Sequence, residues 1–68
     1  MENKYEIDIN SLLDFKAKCK AIYASQYGNG INKEIGVTGN GNFIVISNNE
    51  IIEETSLAQI AVDKYNSI

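Results

Sequence analysis

QYGNGINKEIGVTGNGNFIVIS, residues 26–47, holds all five glycines of the chain and repeats Gly-Asn-Gly twice. Two readings compete for it: a phosphate-cradling loop, or a set of bends between strands. A cradle needs glycine-spaced amides running into a helix N-terminus, with a following Lys and hydroxyl. Gly36 and Gly41 have the right separation, but Asn42 and Phe43 stand where Lys and Ser or Thr belong. Gly39-Asn40-Gly41 does not complete a G-x-G-x-x-G either, because position 44 is Ile, and the β-rich run FIVIS follows. The glycines therefore read as backbone bends: TGNGN as a hairpin loop and YGNG as a helix stop.

Outward from this stretch, strands are expected at about 32–38, 42–47 and 50–54. Asn48-Asn49 forms a two-residue turn, since Asn tolerates positive φ. Upstream, KYEIDI (residues 4–9) alternates apolar and polar side chains and predicts a half-buried strand. Ser11 and Asp14 have capping-box spacing, and SLLDFKAKCKAIYAS follows. On a helix Leu12, Phe15, Cys19, Ile22 and Tyr23 share one face, which predicts a helix running to Gly28.

The C-terminal third allows two readings. One long helix from Ser47 would put Glu50 and Glu54 amid the apolar arc formed by Leu57, Ala58, Ala61, Tyr65 and Ile68, at about 100° per residue. A strand over 50–54 and a helix over about 56–67, with Ser56 and Gln59 as its capping box, removes that conflict. The fold class expected is α+β, a single domain over 1–68. A small antiparallel sheet in β-α-β-β-β-α order carries both helices on one face.

Composition narrows the function. The chain has no His, Trp, Arg or Pro. The imidazole of common general bases, metal sites and Ser-His or Cys-His pairs is missing, as is the bidentate guanidinium clamp. The one cysteine, Cys19, cannot close an internal disulfide, which points to a reducing, cytoplasmic setting. It reads as a buried thiol on an apolar helix face. The longest apolar run is FIVI, too short to span a membrane, and MENKYEIDIN lacks the basic-then-apolar order of a signal peptide. Heavy use of Asn, Lys, Ile and Tyr fits AT-rich coding, as in low-GC bacteria and their phages. Residues 1–34 carry five acids and five lysines, whereas residues 35–68 carry four acids and Lys64, so the net charge of −3 sits in the second half. That sign repels nucleic acid and attracts basic surfaces.

Glu50, Glu53 and Glu54, with Asp14 or Asp63, could form a carboxylate pair or hard-metal site. No calcium-loop pattern accompanies them, and Glu50 and Glu53 are expected on opposite faces of their strand, so a solvated edge is the better reading. Tyr5, Tyr23, Tyr27 and Tyr65 lack the interleaved basic residues of a base-stacking platform. No catalytic residue, cofactor site or metal site is expected. An exposed apolar patch rimmed by carboxylates is. Ile44, Ile46 and Ile51 are expected to pack under the helices, leaving Phe43, Val45 and Ile52 outside, beside Ser47, Glu50 and Glu54, with Glu53 belonging to the same acidic edge. Such a surface suits a partner protein with basic character, or a second copy of the chain.

Two families share parts of this pattern. From residue 11 the expected α-β-β-β-α layout resembles a double-stranded RNA-binding domain, with NSLLDFKAKC similar to that family's first helix and AQIAVDKY to its last. The family holds phosphate with lysines opening the final helix. Here TSLAQ stands there and the first lysine is Lys64, so the resemblance implies topology without the RNA contacts. VTGNGNFIVIS, followed by an acidic segment, resembles the strand-turn-strand of small acidic phage inhibitors of CRISPR nucleases. That likeness spans about a dozen residues of common turn and strand type. It implies carboxylates occupying a basic DNA-binding groove, for which Glu50, Glu53 and Glu54 are the clustered candidates.

Overall fold

The computed structural model describes residues 7–68. Among them the chain forms α1 (Ile9–Lys18), β1 (Ile22–Gly28), β2 (Ile31–Val37), β3 (Phe43–Ser47), β4 (Glu50–Thr55) and α2 (Ala58–Ser67). The strands make one antiparallel sheet in the order β1-β2-β3-β4, and both helices lie on the same side of it. The fold is α+β. None of these helices is long and apolar enough to cross a membrane.

The start of the chain differs from expectation. Most of the strand expected over residues 4–9 lies outside the described residues, and Ile9 already belongs to α1. The helix begins a few residues earlier than the Ser11–Asp14 box implies. Asp8, in extended conformation, is the N-cap and accepts a hydrogen bond from the Ser11 amide at 3.1 Å. Asp14 instead pairs with Lys18 on the solvated side, at 3.0 Å.

The helix stops at Lys18, ten residues before the expected end, and residues 22–28 form an edge strand. Ile22, Tyr23 and Tyr27 are strand formers, and the turn after Gly28 folds them back on β2. Pairing in the sheet thus outweighs the helical spacing of Ile22 and Tyr23. The order is α-β-β-β-β-α, one strand more than the layout of the RNA-binding resemblance.

The glycine-rich stretch bends the chain as expected, with one change of role. YGNG is a hairpin turn rather than a helix stop: Asn29 and Gly30 have φ of 53° and 82°, the two positive values of a type I′ turn. Asn48 and Asn49, at 53° and 68°, make the same turn between β3 and β4. Between β2 and β3, the Thr38 amide donates to the Asn42 carbonyl at 2.8 Å and the Gly41 amide to the Thr38 carbonyl at 3.0 Å.

The C-terminal split into strand and helix is what the structure has. The second capping box does not form, however. Leu57 is the N-cap without a side-chain bond, the Leu57 amide donates to Thr55 Oγ1, and Gln59 reaches Asp63 instead.

The core lies between the sheet and the helices: Leu12 of α1, Ile35 and Val37 of β2, Phe43 and Val45 of β3, and Ala58, Ala61, Val62 and Tyr65 of α2. Lys33 is buried among them. Its Nζ donates to the carbonyls of Tyr65 and Ile68 at 2.8 and 3.0 Å and sits 4.3 Å from the Tyr65 ring centroid. An ammonium at the C-terminal end of α2 meets carbonyls left over by the helix and the negative end of its dipole. One buried lysine thereby ties the second strand to the last turn of the chain.

Candidate protein-binding face

The register decides which side chains look away from the helices. In β2, Ile35 and Val37 point into the core, and their partners across the ladder are Val45 and Phe43. Paired residues share a face, so Phe43 and Val45 are inside, 1% and 0% exposed. This reverses the expected parity of FIVI. All of its residues are apolar, so either alternation looks permissible in that strand alone. The core residues of β2 set the choice.

The opposite face carries two rows across the sheet. One runs Ile22, Gly36, Ile44, Glu54. The next runs Ser25, Glu34, Ile46, Ile51. Ile44 and Ile46 form the middle and are half-buried by their neighbours, while Ile22 and Ile51 are 45% and 61% exposed at the flanks. An antiparallel sheet that leaves one face to water ordinarily places polar residues there. Here isoleucines come from β1, β3 and β4. Gly36 permits the close approach of the first row: a Cβ at that position would lie 2.8 Å from the Ala21 carbonyl oxygen and 2.9 Å from Ile22 Cα.

Each row carries one carboxylate: Glu54 ends the first on β4, and Glu34 lies within the second, between Ser25 and Ile46. Glu34 accepts a hydrogen bond from the Tyr27 hydroxyl, and Glu54 accepts one from Asn42 Nδ2 at 3.3 Å. No lysine occurs in either row, so the patch combines isoleucines with two acidic side chains.

The residues expected at the site scatter. Glu54 is on the open face. A bulge opposite the Val45–Ile46 step inserts Ile52 as an extra residue, 37% exposed beside the patch. The bulge shifts the alternation of β4, so Glu50 and Glu53 both register on the helix side, opposite Ser47 and Val45, rather than on opposite faces. Glu50 is exposed at the strand end. Glu53 is half-buried in a shallow groove shared with Ile60, Asp63, Lys64 and Ser67. Ile51, expected inside, is outside.

Ile22, Ile44, Ile46, Glu34 and Tyr27 were missed. Their signal lies in NKEIGV: Ile35 and Val37 are apolar at odd positions, Asn32 and Glu34 polar at even ones. Carried through the 38–42 loop, that alternation places Phe43 inside and Ile44 outside.

Among the described residues, no three Cys, Asp or Glu side chains converge as a metal-holding group. Cys19 is exposed, not buried, because the helix ends before it. Tyr23 stacks at 5.0 Å on Phe15, and Lys16 lies 5.0 Å from the Phe43 ring centroid, closing the α1 end of the core. The Tyr65 hydroxyl has its pKa raised, first by burial and second by the negative charge of Glu34. That position is structural, since its ring fills the core.

Comparison with known proteins finds no matching family model, no matching curated protein and no matching solved structure.

Proposed function

We propose that this chain is a non-catalytic protein-binding module, and that the helix-free face of its sheet is the contact surface. The observation that carries the reading is the pair of rows across that face: four isoleucines, with Glu54 at the end of one row and Glu34 within the other, and no lysine. A partner that covers the isoleucines and meets the carboxylates sets basic groups beside apolar ones. Proteins that handle nucleic acid in the cytoplasm commonly present such basic surfaces. The further step, that the chain inhibits a host defence nuclease or a similar enzyme on behalf of a phage or mobile element, rests on its likeness to small acidic anti-CRISPR proteins and on the net charge of −3.

The test compares the native chain with the double variant Ile46→Lys/Glu54→Lys, each immobilised and exposed to a nuclease-treated lysate of a low-GC bacterium. A protein retained by the native chain is then purified and titrated against both forms at two salt concentrations. A basic protein whose affinity falls at least tenfold with the double variant and weakens with salt supports the reading. Equal affinity for both forms contradicts it. Tight binding of the native chain to duplex RNA, lost steeply with salt, would support a nucleic-acid-associated module instead.

A further inference from the structure

The open face has a pattern finer than its two rows. From β1 to β4 they read Ile22, Gly36, Ile44, Glu54 and, beside these, Ser25, Glu34, Ile46, Ile51. In the first row the side chains without charge occupy β1 to β3, and in the second the isoleucines occupy β3 and β4. Together they form one diagonal band from the β1 edge of the sheet to the β4 edge. Gly36 does not interrupt it, because Ile22 Cδ1 leans over that position, 3.0 Å from where a Cβ would stand. Glu54 lies on one side of the band and Glu34 on the other. Crossing the four strands and stepping from Ile44 to Ile46 along β3, the band is about 16 Å long. That is about three turns of α-helix.

We infer that the occupant of this band is an amphipathic α-helix of a partner protein, with its apolar stripe on the isoleucines and a basic side chain on each flank, one facing Glu54 and one facing Glu34. The inference rests on the reading that this face is the contact surface. Backbone chemistry and charge select the helix. An extended segment laid over the face of a sheet leaves its N–H and C=O groups without partners, whereas a helix satisfies its own. A second sheet packs across the whole face and takes Glu34 and Glu54 out of water, which is unfavourable unless each is paired. A second copy of this chain, face to face, adds two more carboxylates to that burial. A helix covers only a stripe. It leaves both carboxylates beside it, where Lys or Arg can lay the stem on the isoleucines and bring the charge to the acid.

Two synthetic peptides of one composition, titrated into the isotopically labelled native chain, test this. One sets Leu at i, i+4, i+7 and i+11 with Lys on both sides of that stripe. The other rearranges the same residues into strand alternation. The helical peptide should bind at least about tenfold tighter, gain helical circular dichroism on binding and shift the amides of Ile22, Ile44, Ile46 and Ile51. Ile46→Lys should abolish those shifts. Glu34→Gln and Glu54→Gln should each weaken binding roughly two- to fivefold. With the lysines of one flank replaced by Gln, only one of these two variants should keep its effect, because each carboxylate serves its own side. Equal binding of the alternating peptide on the isoleucines overturns the helix and leaves the face standing as a contact surface. Shifts confined to α2, or none with either peptide, overturn the inference as well. The reading of the face fails separately, when a captured partner binds the native chain and the Ile46→Lys/Glu54→Lys variant equally.

Discussion

The two faces of this sheet are made of similar residues and have different fates. On one, Ile35, Val37, Phe43 and Val45 are sealed beneath α1 and α2. On the other, Ile22, Ile44, Ile46 and Ile51 meet no helix. Hydrophobicity by itself does not separate them. The helices cover the face whose alternation is consistent through β2 and β3 and whose lysine can satisfy the end of α2. The remaining isoleucines are covered by neither of the described helices. A chain of this size has only about 3–5 kcal/mol of stability to draw on, so the two faces should answer very differently to the same kind of substitution.

The largest contrast comes from charge. Val45→Glu buries a carboxylate at a position that is 0% exposed, and a cost of several kcal/mol is enough to unfold the domain. Loss of the cooperative thermal transition checks this. Ile46→Lys, one residue along on the open face, should change stability by about 1 kcal/mol or less while reducing partner affinity by about 2 kcal/mol. Equal destabilisation by the two substitutions would break the distinction between the faces.

Lys33→Met probes what holds the covered face together. The aliphatic length is kept, but the Tyr65 and Ile68 carbonyls lose their ammonium donor. A stability loss of about 1.5–3 kcal/mol in urea unfolding is expected. Gly36→Ala tests the open face from the backbone side. Its Cβ has no room beside Ala21 and Ile22, so β1 must shift, at about 1–3 kcal/mol.

The smallest effect is alkaline. Because the Tyr65 pKa is raised above its ordinary value of 10.0, the folded chain keeps this proton where the unfolded chain releases it. The corresponding stability is complete below pH 10 and declines as pH rises through and beyond it. Tyr65→Phe should flatten that decline, measured as the melting temperature against pH.

Much of this architecture was legible before any coordinates. The asparagine turn at 48–49, the loop at 38–42, the strands from 31 onward and the break between β4 and α2 all follow from turn chemistry and periodicity. The misreadings have physical causes. Ile22 and Tyr23 continue the helical spacing of Leu12, Phe15 and Cys19, yet residues 22–28 pair with β2, and a partner strand is invisible in a local window. FIVI has no polar residue to reveal its inner side. The bulge at Ile52 puts Glu50 and Ile51 on the sides opposite to those that simple alternation from Glu53 and Glu54 gives. The open face consequently has other members than those expected: Ile44 and Ile46 stand there instead of Phe43 and Val45, and Glu34 instead of Glu50 and Glu53.

The division of labour between the faces can be read directly by amide chemical-shift mapping of the labelled chain as a captured basic partner is added. The account predicts perturbations concentrated at Glu34, Ile44, Ile46, Ile51 and Glu54, with Ala58–Ser67 of α2 unaffected. Perturbations centred on α2 and the groove at Glu53, with the open face silent, would contradict it.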